Sequence, residues 1–79
     1  MEPRLILRKM FDEFLSDGFL PDPLPSEIVS FDFGRRINSV VHLMQHFVTD
    51  ADIRSRDAEL DLAMRENLKN EICSILAEV

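Results

Sequence analysis

The chain has 79 residues, a formal net charge of −6 and a hydrophobic fraction of 46%. Its length fits one domain, since roughly 100–200 residues per domain is the ordinary range, and a pI near 4.7 sets the average field against nucleic acid and anionic lipid. Cys73 is the only cysteine, which excludes an intramolecular disulfide, and no Cys/His cluster at ligand spacing points to a structural zinc.

A body this small buries only about 60% of the surface its unfolded form exposes. With neither disulfide nor metal to supplement the core, self-association is the remaining support, and apolar surface is expected to be left for a partner or a second copy. No apolar run approaches the ~18 residues of a membrane span. At the N-terminus Leu5-Ile6-Leu7 is cut short by Arg8 and Lys9, too brief for a signal-peptide core. The expected compartment is the cytoplasm.

From Pro3 to Asp17, Ile6, Leu7, Met10, Phe11, Phe14 and Leu15 recur at spacings of three and four, which predicts a first helix over 3–17. Pro3 suits the first turn. Gly18 suits a left-handed residue past the end, with Phe19 folding back on Phe14 in a Schellman-type closure. Residues 21–25 read Pro-Asp-Pro-Leu-Pro, an extended connection that Phe19, Leu20 and Leu24 are expected to pin to the core. One helical turn fits 26–30.

Phe33, Ile37, Val40, Met44 and Phe47 step by four, three, four and three, the seam of a helix packed lengthwise on another. This predicts a second helix over 31–48, capped by Ser30 or Asp32. Its opposite face carries Arg35, Asn38, Ser39, His42, Gln45 and His46. Thr49 to Asp52 then offer capping side chains and acids suited to a new helix start, and Leu60, Met64, Leu68, Ile72, Ile75 and Val79 form a stripe over 50–78. Within that span, residues 50–56 hold only Ile53 as a strongly apolar residue and are candidates for a separate short helix. Asp61 with Arg65 and Asp52 with Arg56 stand in the favourable i,i+4 order.

The fold class expected is therefore all-α: a single domain over 1–79, a three-helix bundle whose second and third helices form an antiparallel hairpin covered by the first. The expected core is Leu7, Met10, Phe11, Phe14, Phe33, Ile37, Val40, Met44, Phe47, Leu60, Met64, Leu68, Ile72 and Ile75. Met10, Met44 and Met64 fit core filling better than an adaptable groove.

Four kinds of chemistry find partial matches among these residues. His42 and His46 lie on one helical face at the separation at which two imidazoles share a metal. Leu43 stands where a metalloprotease helix places its Glu, and no third ligand follows, so two solvent-facing histidines are the plainer reading and no metal or other cofactor is assigned. Asp50, Asp52, Arg54 and Asp61 echo a calcium loop, but Arg54 is a cation at the fifth position and Ser55 replaces the turn-forming Gly. Cys73 sits on the shoulder of the apolar stripe among acids, which fits packing better than a reactive thiol. Small acidic carriers of a thioester arm resemble this chain in size and charge, yet their Asp-Ser-Leu attachment signature is missing.

Arginines supply the last candidate. Arg4, Arg8 and Lys9 on the first helix, Arg35 and Arg36 on the second, and Arg54 and Arg56 near the third are clusters that can override net charge. Asp50, Asp52, Asp57, Glu59 and Asp61 flank the last two, and the expected repulsion disfavours nucleic acid. The functional expectation is a non-enzymatic regulator or adaptor acting through protein–protein contacts, as a homodimer or on another protein. The alternative is a dimeric DNA-binding regulator using Arg35, Arg36, Arg54 and Arg56.

Overall fold

A computed structural model describes residues 2–79, and all regular structure among them is helical. The elements in order are α1 (Pro3–Asp17), α2 (Ser26–Val29), α3 (Arg35–Thr49), α4 (Ala51–Arg56) and α5 (Ala58–Ile75), followed by a 3₁₀ turn at Leu76–Glu78. The long helices are α1, α3 and α5; α2 falls on the helical turn expected near 26–30, and α4 on the stretch 50–56 that is a candidate for a separate short helix. No helix among the described residues is long and apolar enough to cross a membrane.

Helix α1 has the bounds its sequence predicts. Pro3 lies in the first turn, where its missing N–H is no loss. Gly18 closes the helix at φ 69°, and its N–H donates to the Phe14 carbonyl at 2.8 Å. That single bond is the simple left-handed cap and not the Schellman closure. Phe19 accordingly does not fold back on Phe14; it is 59% exposed, and Leu20 turns inward instead. A side chain at Gly18 would also meet Arg65, whose Nη1 lies 2.7 Å from the position a Cβ would take.

The proline-rich connection behaves as a packed segment. Leu20 and Leu24 are buried, and they lead into α2, whose Ile28 has no exposed surface. Ser30 ends that turn by donating its hydroxyl to the Ser26 carbonyl at 2.6 Å.

Helix α3 starts at Arg35 and not at 31. Gly34 has φ 95°, which breaks the helical backbone. Around it, Asp32 Oδ1 accepts from the Gly34 N–H at 3.0 Å and from Asn38 Nδ2 at 2.8 Å, while Asn38 Oδ1 accepts from the Phe33 N–H at 3.0 Å. The helix entry is thus bridged by two side chains, and Asp32 caps the loop without being the cap residue of the helix. Because these bonds favour the ionised carboxylate, the Gly34 N–H first and Asn38 second, they hold Asp32 below its ordinary value.

The span 50–78 is also divided. Asp57 adopts an extended conformation, φ −134° and ψ 95°, and its carboxylate accepts from the Leu60 N–H, so α5 begins with its own cap. Residues 51–56 are the separate short helix α4, which leaves α3 and α5 joined through a helix where a short turn was expected.

One hydrophobic cluster unites the elements. Leu7, Met10, Phe11 and Phe14 of α1 meet Ile37, Val40, Val41, Met44 and Phe47 of α3 and Leu68, Ile72 and Ile75 of α5, with Phe33 joining from the loop. Phe14 and Phe47 pack edge to face with ring centroids 5.4 Å apart. The largest helix–helix contact is between α3 and α5. Leu60 and Met64 fall short of the expected burial and are half-buried, because the first turns of α5 meet the molecule through charged side chains; Leu20, Leu24, Ile28 and Val41 complete the core. Cys73, expected to pack, is exposed.

Candidate functional site

Three surface features compete as the functional site: the arginines, the histidine pair, and a groove between α2 and α3. Arg54 is not a free cation. Its side chain is only 10% exposed; Nη1 pairs with Asp61 at 2.8 Å, Nε donates to the Phe47 carbonyl at 3.0 Å, and the guanidinium lies 3.6 Å above the Phe47 ring. Arg65 completes the arrangement from the far side, pairing through Nε with Asp61 at 2.9 Å and donating from Nη1 to the Gly18 carbonyl at 3.0 Å. Asp61 therefore ties α4 to α5 while its two arginines reach back to the ends of α3 and α1. Cations suit both helix C-termini, where carbonyls lack intrahelical partners.

Hydrogen bonds from Arg54, then Arg65, hold the Asp61 carboxyl below its ordinary value of 3.8, with their charges adding to the effect. A depressed carboxylate stabilises the fold above its unfolded pKa, and that contribution is lost as pH falls through the folded pKa. Asp61→Asn is accordingly expected to lower the urea midpoint near neutral pH, and the difference from wild type should narrow as pH falls below the carboxyl's ordinary value and through its lowered one. An equal deficit at both ends of that range would show that the carboxylate's charge is irrelevant.

A second group of cations surrounds the end of α5. Arg4 donates to the Glu78 carbonyl at 3.0 Å, Arg8 to the Val79 carbonyl oxygen at 3.1 Å, and Arg36 to the Ser74 carbonyl at 3.4 Å while pairing with the Glu78 carboxylate at 2.7 Å. Arg36 meets a carbonyl of the last turn of α5, where the helix end is negative, and Arg4 and Arg8 meet carbonyls of the 3₁₀ turn and the residue after it. Arg35 and Arg56 are exposed and form no ion pair among the described residues. The four arginines considered for DNA thus occupy different settings: Arg54 is packed inside, Arg36 is engaged with Glu78, and two stand free. The expected Asp52–Arg56 pair does not form, whereas Asp61–Arg65 does.

His42 and His46 are both exposed on α3, with Nε2 atoms 3.0 Å apart and rings edge to face at 4.5 Å. One ring donates its N–H to the other. Among the described residues no group of three His, Cys, Asp or Glu is placed to hold a metal. The calcium-like run is helical in α4, and its Asp61 already holds two arginines.

His42 also forms one wall of the groove. This open depression of about 430 Å³ runs between α2 and α3 and is lined by Val29, Phe31, Asp32, Val41, His42 and Gln45, among others. Val29 and Gln45 continue into a neighbouring depression that reaches Leu24, Val48 and Thr49. Asn38, Val41, Gln45 and Val48 step along α3 by three and four, so one stripe of the helix forms the floor. Val29 and Phe31 are 49% and 43% exposed. The Phe31 ring rests against buried Phe33, centroids 4.6 Å apart, which braces it at the surface.

Sequence reasoning placed Asn38, His42 and Gln45 on a polar face without locating this groove. Its second wall depends on where the proline-rich connection lays α2, and no spacing rule carries that. The chain matches no family model, and neither a curated protein nor a solved structure matches it.

Proposed function

We propose that the protein is a non-enzymatic interaction module, a regulator or adaptor that acts as a homodimer through the groove between α2 and α3. The observation that carries this reading is the exposure of Val29 and Phe31 at the lip of a groove, with Phe31 braced on the core. Leu5, Phe19, Ile53 and Leu62 add further exposed apolar area in a chain of only 79 residues. Apolar surface presented at an ordered site favours association, because water leaves it at no extra ordering cost to the aromatic ring.

A second copy fits the groove by charge as well as by hydrophobicity. Asp32 lines the groove and Arg35 lines an adjoining depression that shares Asn38 and His42 with it, so a two-fold contact is able to set the acid of one copy near the arginine of the other. A standard interface takes about 800 Å² per partner, under a sixth of the 5176 Å² this chain exposes. We read α1, α3 and α5 as a three-helix bundle with α3 and α5 as an antiparallel hairpin, the scaffold that presents the groove. The exposed Cys73 thiol suits a reducing compartment such as the cytoplasm.

The test is a change of mass on altering the lip. Val29→Ser with Phe31→Ser is expected to convert a dimer to a monomer in size-exclusion chromatography with light scattering, with the far-UV circular dichroism unchanged because both side chains are substantially exposed. A variant that stays dimeric would place the contact elsewhere.

A further inference from the structure

We propose that His42 and His46 form a binding site for a late first-row divalent transition ion, the class that includes Zn²⁺, Ni²⁺ and Cu²⁺. Two imidazole nitrogens bound to one ion at about 2.0–2.1 Å, at angles between those of square and tetrahedral coordination, stand about 2.9–3.4 Å apart. The Nε2 atoms of His42 and His46 are 3.0 Å apart. The two rings thus already bring their Nε2 atoms to the separation that one ion requires, and a turn of the rings converges both lone pairs on it.

The chemistry closes without another reactant. In the hydrogen-bonded pair one ring carries its proton on Nε2; on binding, that proton exchanges through water to Nδ1 of the same ring, and both neutral imidazoles donate a lone pair. The ion gives up two waters and keeps the rest, since these residues supply two protein ligands. Imidazole donors select zinc, copper and nickel over magnesium and calcium, which prefer oxygen. Both rings are exposed, so an ion has direct access from solvent. A link between residues four apart on one helix also staples one turn of α3. Both ligands come from one chain, so the inference does not rest on the dimer reading, even though His42 also lines the groove assigned to the second copy.

The experiment is calorimetric titration of tag-free protein with Cu²⁺, Zn²⁺ and Mg²⁺ in a Cys73→Ser background, which removes the competing exposed thiol. One Cu²⁺ or Zn²⁺ per chain is expected, copper binding more tightly than zinc, with no heat from Mg²⁺. Because the second imidazole binds as an intramolecular ligand, His42→Ala and His46→Ala should each weaken Cu²⁺ binding by tenfold or more. Electron paramagnetic resonance of the Cu²⁺ complex should show imidazole nitrogen coupling that either variant reduces. Affinities within threefold of the parent in both variants, or a Cu²⁺ spectrum unaltered by them, would overturn the assignment.

Discussion

Phe11→Ala is expected to remove a large share of the stability of this protein. Phe11 has no exposed surface, and it sits where α1 meets the common core with Leu7, Met10 and Phe14. Truncating a buried Phe costs about 3–5 kcal/mol, from lost transfer energy and from the cavity left behind. A domain of this size holds roughly 4–12 kcal/mol in total at 0.05–0.15 kcal/mol per residue. The variant should therefore unfold at a markedly lower urea concentration. Leu62→Ala, at a site 60% exposed on α5, serves as the control and should shift stability by no more than about 0.5 kcal/mol. Equal shifts in the two variants would contradict the packing described.

The second large effect is expected from Ile28→Ala. Four residues make no stable helix by themselves, because nucleation is unfavourable and few bonds follow it. Helix α2 is held by burial, and Ile28 is its one fully buried side chain. Its truncation should cost about 2–5 kcal/mol. The loss should also be local: with its anchor gone, the segment carrying Val29 and Phe31 detaches, and amide hydrogen exchange at 28–30 accelerates more than in α3 or α5. A variant that leaves those amides as protected as before would mean that the groove wall is held by something other than Ile28.

These two residues differ in how visible they were beforehand. Phe11 belongs to a stripe at helical spacing, bounded by Pro3 and Gly18, and such a pattern states both the element and its buried face. Ile28 lies in a four-residue turn where periodicity has no room to develop. Long stripes likewise announced α3 and α5, whereas their boundaries turned on single residues. Gly34 shortens α3 through its positive φ, and Asp57 divides the last helical span by capping α5. Either residue is tolerated inside a longer helix, so local sequence did not decide between a break and a continuation.

The charged residues divide the same way. Asp61 and Arg65 are neighbours on one helix face and were legible as a pair. Arg54 reaches Asp61 only because α4 turns back on α5, and it reaches Phe47 only because α3 ends nearby. What reads in the chain as a cation available to a polyanion is an internal tie. For His42 and His46 the spacing gave a shared face, while the 3.0 Å approach of the two Nε2 atoms comes from ring orientations that no spacing specifies.

As proposed, the groove beside α2 joins two copies of the chain. The most direct measurement is the wild-type mass by light scattering across a wide concentration range, from dilute to concentrated protein. A species of twice the 9.2 kDa chain mass that dissociates only on dilution is expected. A particle of single-chain mass at every concentration would contradict it.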